Sequence, residues 1–95
     1  MAGYIFVQTE VSDPDQYYTY KQAVPAVIEQ YDGRFIVRGG DMETLEGTFD
    51  GPRVVILEFP SAERAREFWD SVEYAEVKKL REGAAKMTAV LIEGA

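Results

Sequence analysis

Apolar residues fall along this chain in two rhythms, and the switches between them mark out the elements. From Tyr4 to Glu10 they alternate as in a β-strand, with Tyr4, Phe6 and Gln8 pointing one way and Ile5, Val7 and Thr9 the other. Asp13-Pro14-Asp15-Gln16 reads as a helix start. Asp13 is a good N-cap, Pro14 suits the first helical position, and Gln16 stands where a capping-box partner would. Tyr17, Tyr20, Val24, Val27, Ile28 and Tyr31 follow at spacings of three and four, which make one helical stripe. Pro25 inside that stripe predicts a kink or a division, and Asp32-Gly33 predicts the end.

A second strand is predicted from Arg34 to Gly39, then a long loop from Gly40 to Pro52 with glycines marking its turns. The third strand, Arg53 to Phe59, is the most hydrophobic segment. Pro60-Ser61 stops it and caps a helix whose buried side is Ala65, Phe68, Trp69 and Val72. Ser71 is a second N-cap, with Tyr74, Val77, Leu80 and Arg81 on a continuing face and Gly83 loosening the end. The last strand covers Lys86 to Glu93. Strand, helix, two strands, helix, strand is the ferredoxin-like β-α-β-β-α-β order of an α+β fold. Right-handed crossovers place the third strand beside the first, giving an antiparallel sheet in the order 4-1-3-2. A length of 95 residues suits one domain spanning residues 1–95.

Two helices cover one face of such a sheet, yet the first, third and fourth strands are apolar on both faces. Tyr4, Phe6, Val54, Ile56, Val90 and Ile92, or their alternates, are left for the second face. Their burial is worth on the order of 9–18 kcal/mol gross, at about 1.5–3 kcal/mol each, before the entropy of association is subtracted. The expected cover is the same face of a second copy, hence a homodimer at micromolar concentration. The alternative is the Gly40–Pro52 loop folding back over it.

Composition narrows the chemistry. The chain has no cysteine and no histidine, which removes thiolate nucleophiles, thiolate or histidine metal sites, the Ser-His-Asp triad and haem on a proximal histidine. No cofactor is expected, and acid–base work falls to Asp, Glu, Tyr, Lys or Arg. Ten basic against seventeen acidic residues give a net charge of −7 with no basic run, so no nucleic-acid partner is expected. No apolar run approaches the roughly 20 residues that span a bilayer. The start, Met1-Ala2-Gly3-Tyr4-Ile5, lacks the basic stretch of a secretory signal. The expected location is the cytoplasm, with no membrane partner.

Arg38-Gly39-Gly40, Leu45-Glu46-Gly47, Leu57-Glu58-Phe59-Pro60-Ser61, Ser71 with Glu73-Tyr74, Leu80-Arg81 and Glu93-Gly94 together resemble the bacterial "domain of unknown function 1330" family of the dimeric alpha-beta barrel superfamily. The resemblance covers nearly the whole chain and implies the fold and dimer read above. It implies no substrate. Asp32-Gly33 stands where the family often has Gly-Gly, Phe68-Trp69 where it often has Trp-Tyr, and Val72 where it often has Pro. The superfamily includes cofactor-free monooxygenases, isomerases and haem enzymes, and one fold hosting many chemistries transfers none of them.

Six residues are candidates for a site. Glu58, near the end of an apolar inner strand, is a candidate catalytic base, against an ion pair with Arg34. Arg38, followed by two glycines, is a candidate clamp for a substrate carboxylate, against a pair with Glu46. Tyr20, Trp69, Tyr74 and Arg81 are candidate substrate-binding groups between helices and sheet, against ordinary core packing. Asp41, Glu43, Glu46 and Asp50 decorate the loop without the spacing of an EF-hand, and read as solvated rather than metal-binding. Two readings stand: a binder or cofactor-independent enzyme for a small organic acid or aromatic molecule, and a non-catalytic dimeric binding or regulatory module.

Overall fold

The computed structural model describes residues 1–95. Its elements are β1 (Gly3–Val11), α1 (Pro14–Gln30), β2 (Arg34–Arg38), β3 (Val54–Phe59), α2 (Ala62–Trp69), α3 (Val72–Lys78), a single 3-10 turn (Lys79–Arg81) and β4 (Ala85–Glu93). The sheet order is β2-β3-β1-β4 with every neighbour antiparallel, which is the 4-1-3-2 order read from the other edge. The protomer measures 38 × 37 × 16 Å, a slab of one sheet and one helical layer.

Local chemistry explains the helix boundaries. Asp13 accepts the Gln16 backbone N–H at 3.2 Å, and Ser61 accepts that of Arg64 at 3.0 Å. Ser71 accepts the Tyr74 N–H at 3.0 Å while its hydroxyl donates to the Phe68 carbonyl at 2.7 Å. One serine thus ends α2 and starts α3. The Gln16 side chain does not close a capping box. Its amide reaches across the fold and donates to the carbonyls of Leu80 at 3.2 Å and Glu82 at 2.7 Å. Pro25 does not divide α1, which stays one helix of 17 residues. The proline only leaves the Lys21 carbonyl without its usual i+4 donor. At the far end Asp32, not Gly33, takes the positive φ of 65°. Gly33 is needed for space, since a Cβ there would lie 2.5 Å from the Phe59 ring.

The core lies between the sheet and the helices, with Ile5, Val7, Leu57 and Phe59 facing Val24, Ile28, Phe68 and Tyr74. The residues between them on the strands face away. Register pairs Tyr4 with Glu58 and Ile92, and Phe6 with Ile56 and Val90, on that second face. The chain leaves most of it open: Val90 and Ile92 remain 46% and 47% exposed, whereas Val54 at its Gln8 end is buried. Residues 41–50 of the long loop are all exposed, and only the loop's end, at Phe49 and Gly51, comes near Gln8.

One irregularity decides where a key arginine goes. Phe35 pairs with Leu57 but Val37 pairs with Ile56, so Ile36 is an extra residue, a β-bulge. Strict alternation would put Arg38 on the same face as Arg34. The bulge turns it to the helical face beside Phe35, opposite Val55.

Candidate functional site

A cavity of about 80 Å³ opens between the helical face of the sheet and α1, α2 and α3. At roughly 10–15 Å³ for each water-sized occupant, its inner part has room for about five to eight of them, and it continues outward through an open mouth. Its inner wall is aromatic. Phe68 packs 4.7 Å from Tyr74, and Tyr74 4.9 Å from Trp69, measured between ring centres. Trp69 also borders a second hollow of about 150 Å³, beside Ile5, Ala65 and Leu91, which has no hydroxyl in its lining.

One flank of the first cavity is cationic. Lys21 of α1, Arg38 at the end of β2 and Arg53 just before β3 line it, and no Asp or Glu does. None of the three takes part in a salt bridge, although acidic residues outnumber basic ones in the chain. The Arg38 guanidinium stacks on Phe35 with its carbon 4.1 Å from the ring centre. Arg53 donates weakly to the Arg38 carbonyl at 3.5 Å. Gly39, with φ of 69°, makes this packing possible, because a Cβ there would collide with the Arg53 side chain.

The opposite flank is phenolic. The hydroxyls of Tyr20 and Tyr74 lie 3.0 Å apart, and both residues line the cavity. Arg81 stands behind them and donates to the Tyr74 oxygen at 3.4 Å, its guanidinium 5.5 Å from the Tyr20 ring centre. Arg81 is 9% exposed, faces no carboxylate, and its Nε is buried without a partner. The bonds from Gln16 to the carbonyls either side of Arg81 hold the 3-10 turn against α1. Burial first, and then the neighbouring Tyr74, pushes the Tyr20 hydroxyl above the ordinary tyrosine range, so it keeps its proton at any working pH. On the sheet floor Thr9 lines the cavity, and its buried Oγ1 has no hydrogen-bond partner.

Four of the six candidate residues, Tyr20, Arg38, Trp69 and Tyr74, line this one cavity, and Arg81 supports it from behind. Glu58 does not join them. It lies on the other face of the sheet, one residue on from core Leu57, and binds Arg34 through two nitrogens at 2.6 and 2.8 Å. A base for the cavity is therefore not placed there. Arg38 does not pair with Glu46, and nowhere do three acidic side chains converge as a metal site needs. Lys21, Arg53 and Thr9 were not singled out from sequence. The signals were present. Lys21 follows the apolar stripe of α1, and Arg53 and Thr9 continue the inward parity of Val55-Leu57 and Ile5-Val7.

The strand order, the antiparallel sheet and the helical layer define a ferredoxin-like protein, here with a cavity between sheet and helices. The chain belongs to the family described as "Domain of unknown function (DUF1330)", which it matches over residues 2–95. No functionally curated protein matches it significantly in sequence. Among solved structures it is similar to a protein of unknown function from Rhodopseudomonas palustris, at 21% identity and a TM-score of 0.71, covering 99% of this chain and 82% of that one. A dimeric ferredoxin-like protein of unknown function from Jannaschia sp. gives 12% identity and a TM-score of 0.66 over 99% and 100% of the two chains. A cofactor-independent oxygenase from Streptomyces nogalater, SnoaB, gives 9% and 0.62 over 99% and 93%. At these identities the likeness concerns the fold. No helix of the chain is long and apolar enough to cross a membrane.

Proposed function

We propose that this protein binds a small organic acid with an apolar, preferably aromatic, body in the helix–sheet cavity, as a homodimer and without a cofactor. The observation that carries this reading is the set of unpaired cations. Three line an apolar cavity in an acidic chain, and no carboxylate faces them from within. Arg38 and Arg53 anchor the acid, Lys21 adds charge, and Trp69 and Phe68 form the wall for the ring. The dimer is supported by the uncovered apolar sheet face and by dimeric proteins of the same fold.

The test is a titration of benzoate, phenylacetate and their neutral amides, followed by calorimetry and thermal unfolding. The acids bind and raise the melting temperature, and the amides do so at least tenfold more weakly. Arg38→Gln with Arg53→Gln weakens acid binding by about 10- to 100-fold, since charged hydrogen bonds are worth about 1.5–3 kcal/mol each and partly substitute for one another. Absence of binding by any acid in such a panel favours the second reading, a non-catalytic module that docks another protein. One feature favours that reading: Met42, Leu45 and Phe49 stand exposed on the loop, Leu45 at 90%.

A further inference from the structure

The phenolic flank has a direction built into it. Arg81 has only donors, so at Tyr74 it must give a hydrogen bond and the Tyr74 oxygen must accept it. An oxygen that accepts from a cation becomes a better donor. The Tyr20 oxygen lies 3.0 Å away and either hydroxyl can be the donor of that pair, so it is the cation on Tyr74 that favours Tyr74 in that role. With Tyr74 donating, Tyr20 accepts, and its other polar neighbour is the Arg81 guanidinium, which has donors alone. The O–H of Tyr20 is left over, in a residue that is buried yet lines the cavity. The cost of a buried guanidinium with no counter-charge is consistent with a charge that acts through its neighbours.

We infer that the cavity selects an oxo acid: a molecule whose carboxylate meets the Arg38–Arg53 flank and whose second oxygen, a ketone or similar acceptor, takes the Tyr20 O–H, with Arg81 and Tyr74 holding Tyr20 as donor. This deepens the organic-acid reading and rests on it. Thr9 Oγ1, unpartnered on the cavity floor, supplies a further polar contact for an oxygenated ligand and none for a hydrocarbon one. Arg81 is a positioning residue, since it does not line the cavity.

The probes are 3- and 4-acetylbenzoate against the same-shaped 3- and 4-isopropenylbenzoates, in which CH₂ replaces the ketone oxygen. Dissociation constants are measured by calorimetry on wild type, Tyr20→Phe and Tyr74→Phe, with thermal unfolding as the control for folding. In wild type the better acetylbenzoate binds about tenfold more tightly than its isopropenyl twin, the value of one good hydrogen bond from a buried donor. Tyr20→Phe brings the ratio to about one, and Tyr74→Phe brings it below about three, because the orienting partner is gone. Affinity for the isopropenylbenzoates stays within twofold throughout, which a merely structural role for the tyrosines would not allow. Equal affinity of the twins in wild type, or a ratio that survives Tyr20→Phe, overturns the inference while leaving the organic-acid reading intact. A full ratio in Tyr74→Phe overturns the role of Arg81 and Tyr74. If none of the acids binds, the organic-acid reading fails and takes this inference with it.

Discussion

Glu73 sits in the first turn of α3, where its carboxylate receives its own backbone N–H, the Tyr31 hydroxyl at 2.9 Å and the Gln30 amide at 3.0 Å. These donors, its own N–H first, hold its pKa below the ordinary 4.5, and the same contact raises that of Tyr31. A carboxylate with a lowered folded pKa stabilises the fold fully above its unfolded value, and that stability is lost as pH falls through the folded one. The raised tyrosine works the other way, stabilising below about 10 and losing this as pH rises through its folded value. For Glu73→Gln, thermal unfolding is therefore expected to fall below wild type by a constant margin from about pH 5 to 8, and the margin is expected to shrink below about pH 4.5. A margin that does not change with acid would show that the ionised carboxylate is not what matters. This contact joins residues 42 apart in sequence, so no local pattern announced it. Gln16 is similar: its spacing from Asp13 signalled a cap, but its side chain found carbonyls more than 60 residues away. Local chemistry was legible at Asp13, Ser61 and Ser71 because a cap needs only its own turn. At Glu58 the structure takes the alternative read from the sequence, the ion pair with Arg34, because strand parity turns its side chain to the face where the neighbouring strand presents that arginine.

At the scale of elements, β2 carries the most consequence per residue. Its five residues put Arg38 at the cavity only because the bulge at Ile36 reverses their alternation. Deleting Ile36 removes the extra residue and leaves Arg34, Phe35, Val37 and Arg38 in regular alternation, with Arg38 still opposite Val55 on the cavity face. Binding of benzoate is expected to stay within about threefold of wild type, less than the loss of one charged hydrogen bond, while circular dichroism stays that of the folded chain. A loss of about tenfold or more would mean that the bulge itself, and not only the face it selects, places the arginine. The bulge was invisible in sequence because Arg34-Phe35-Ile36-Val37-Arg38 reads as a regular strand, and its register is set by β3 rather than by its own residues. The helices were easier to read. The stripe of α1 and the break at Ser71 follow from side-chain period and capping, and a proline in mid-stripe proved insufficient to divide a helix anchored on both sides of it.

The whole molecule was legible in outline because the two-sided apolar strands and the order of elements admit few topologies. The same pattern argues for a partner. Val90→Asp with Ile92→Asp places two charges on the uncovered face and none at the cavity. Wild type is expected to sediment as a dimer at about 10 μM, as a self-complementary apolar face of this extent requires, and the double variant as a monomer that still binds benzoate. A monomeric wild type at that concentration would sink the assembly. The slab is 16 Å thick, so its interior is a single stratum of side chains, and the hollow is cut from that stratum. A guest seated there is not lodged beside the hydrophobic core but completes it, touching sheet and helices at once. The empty protomer is then the looser form, and occupancy should quiet its motions throughout, linking how firmly the chain holds its shape to the supply of the molecule it takes up.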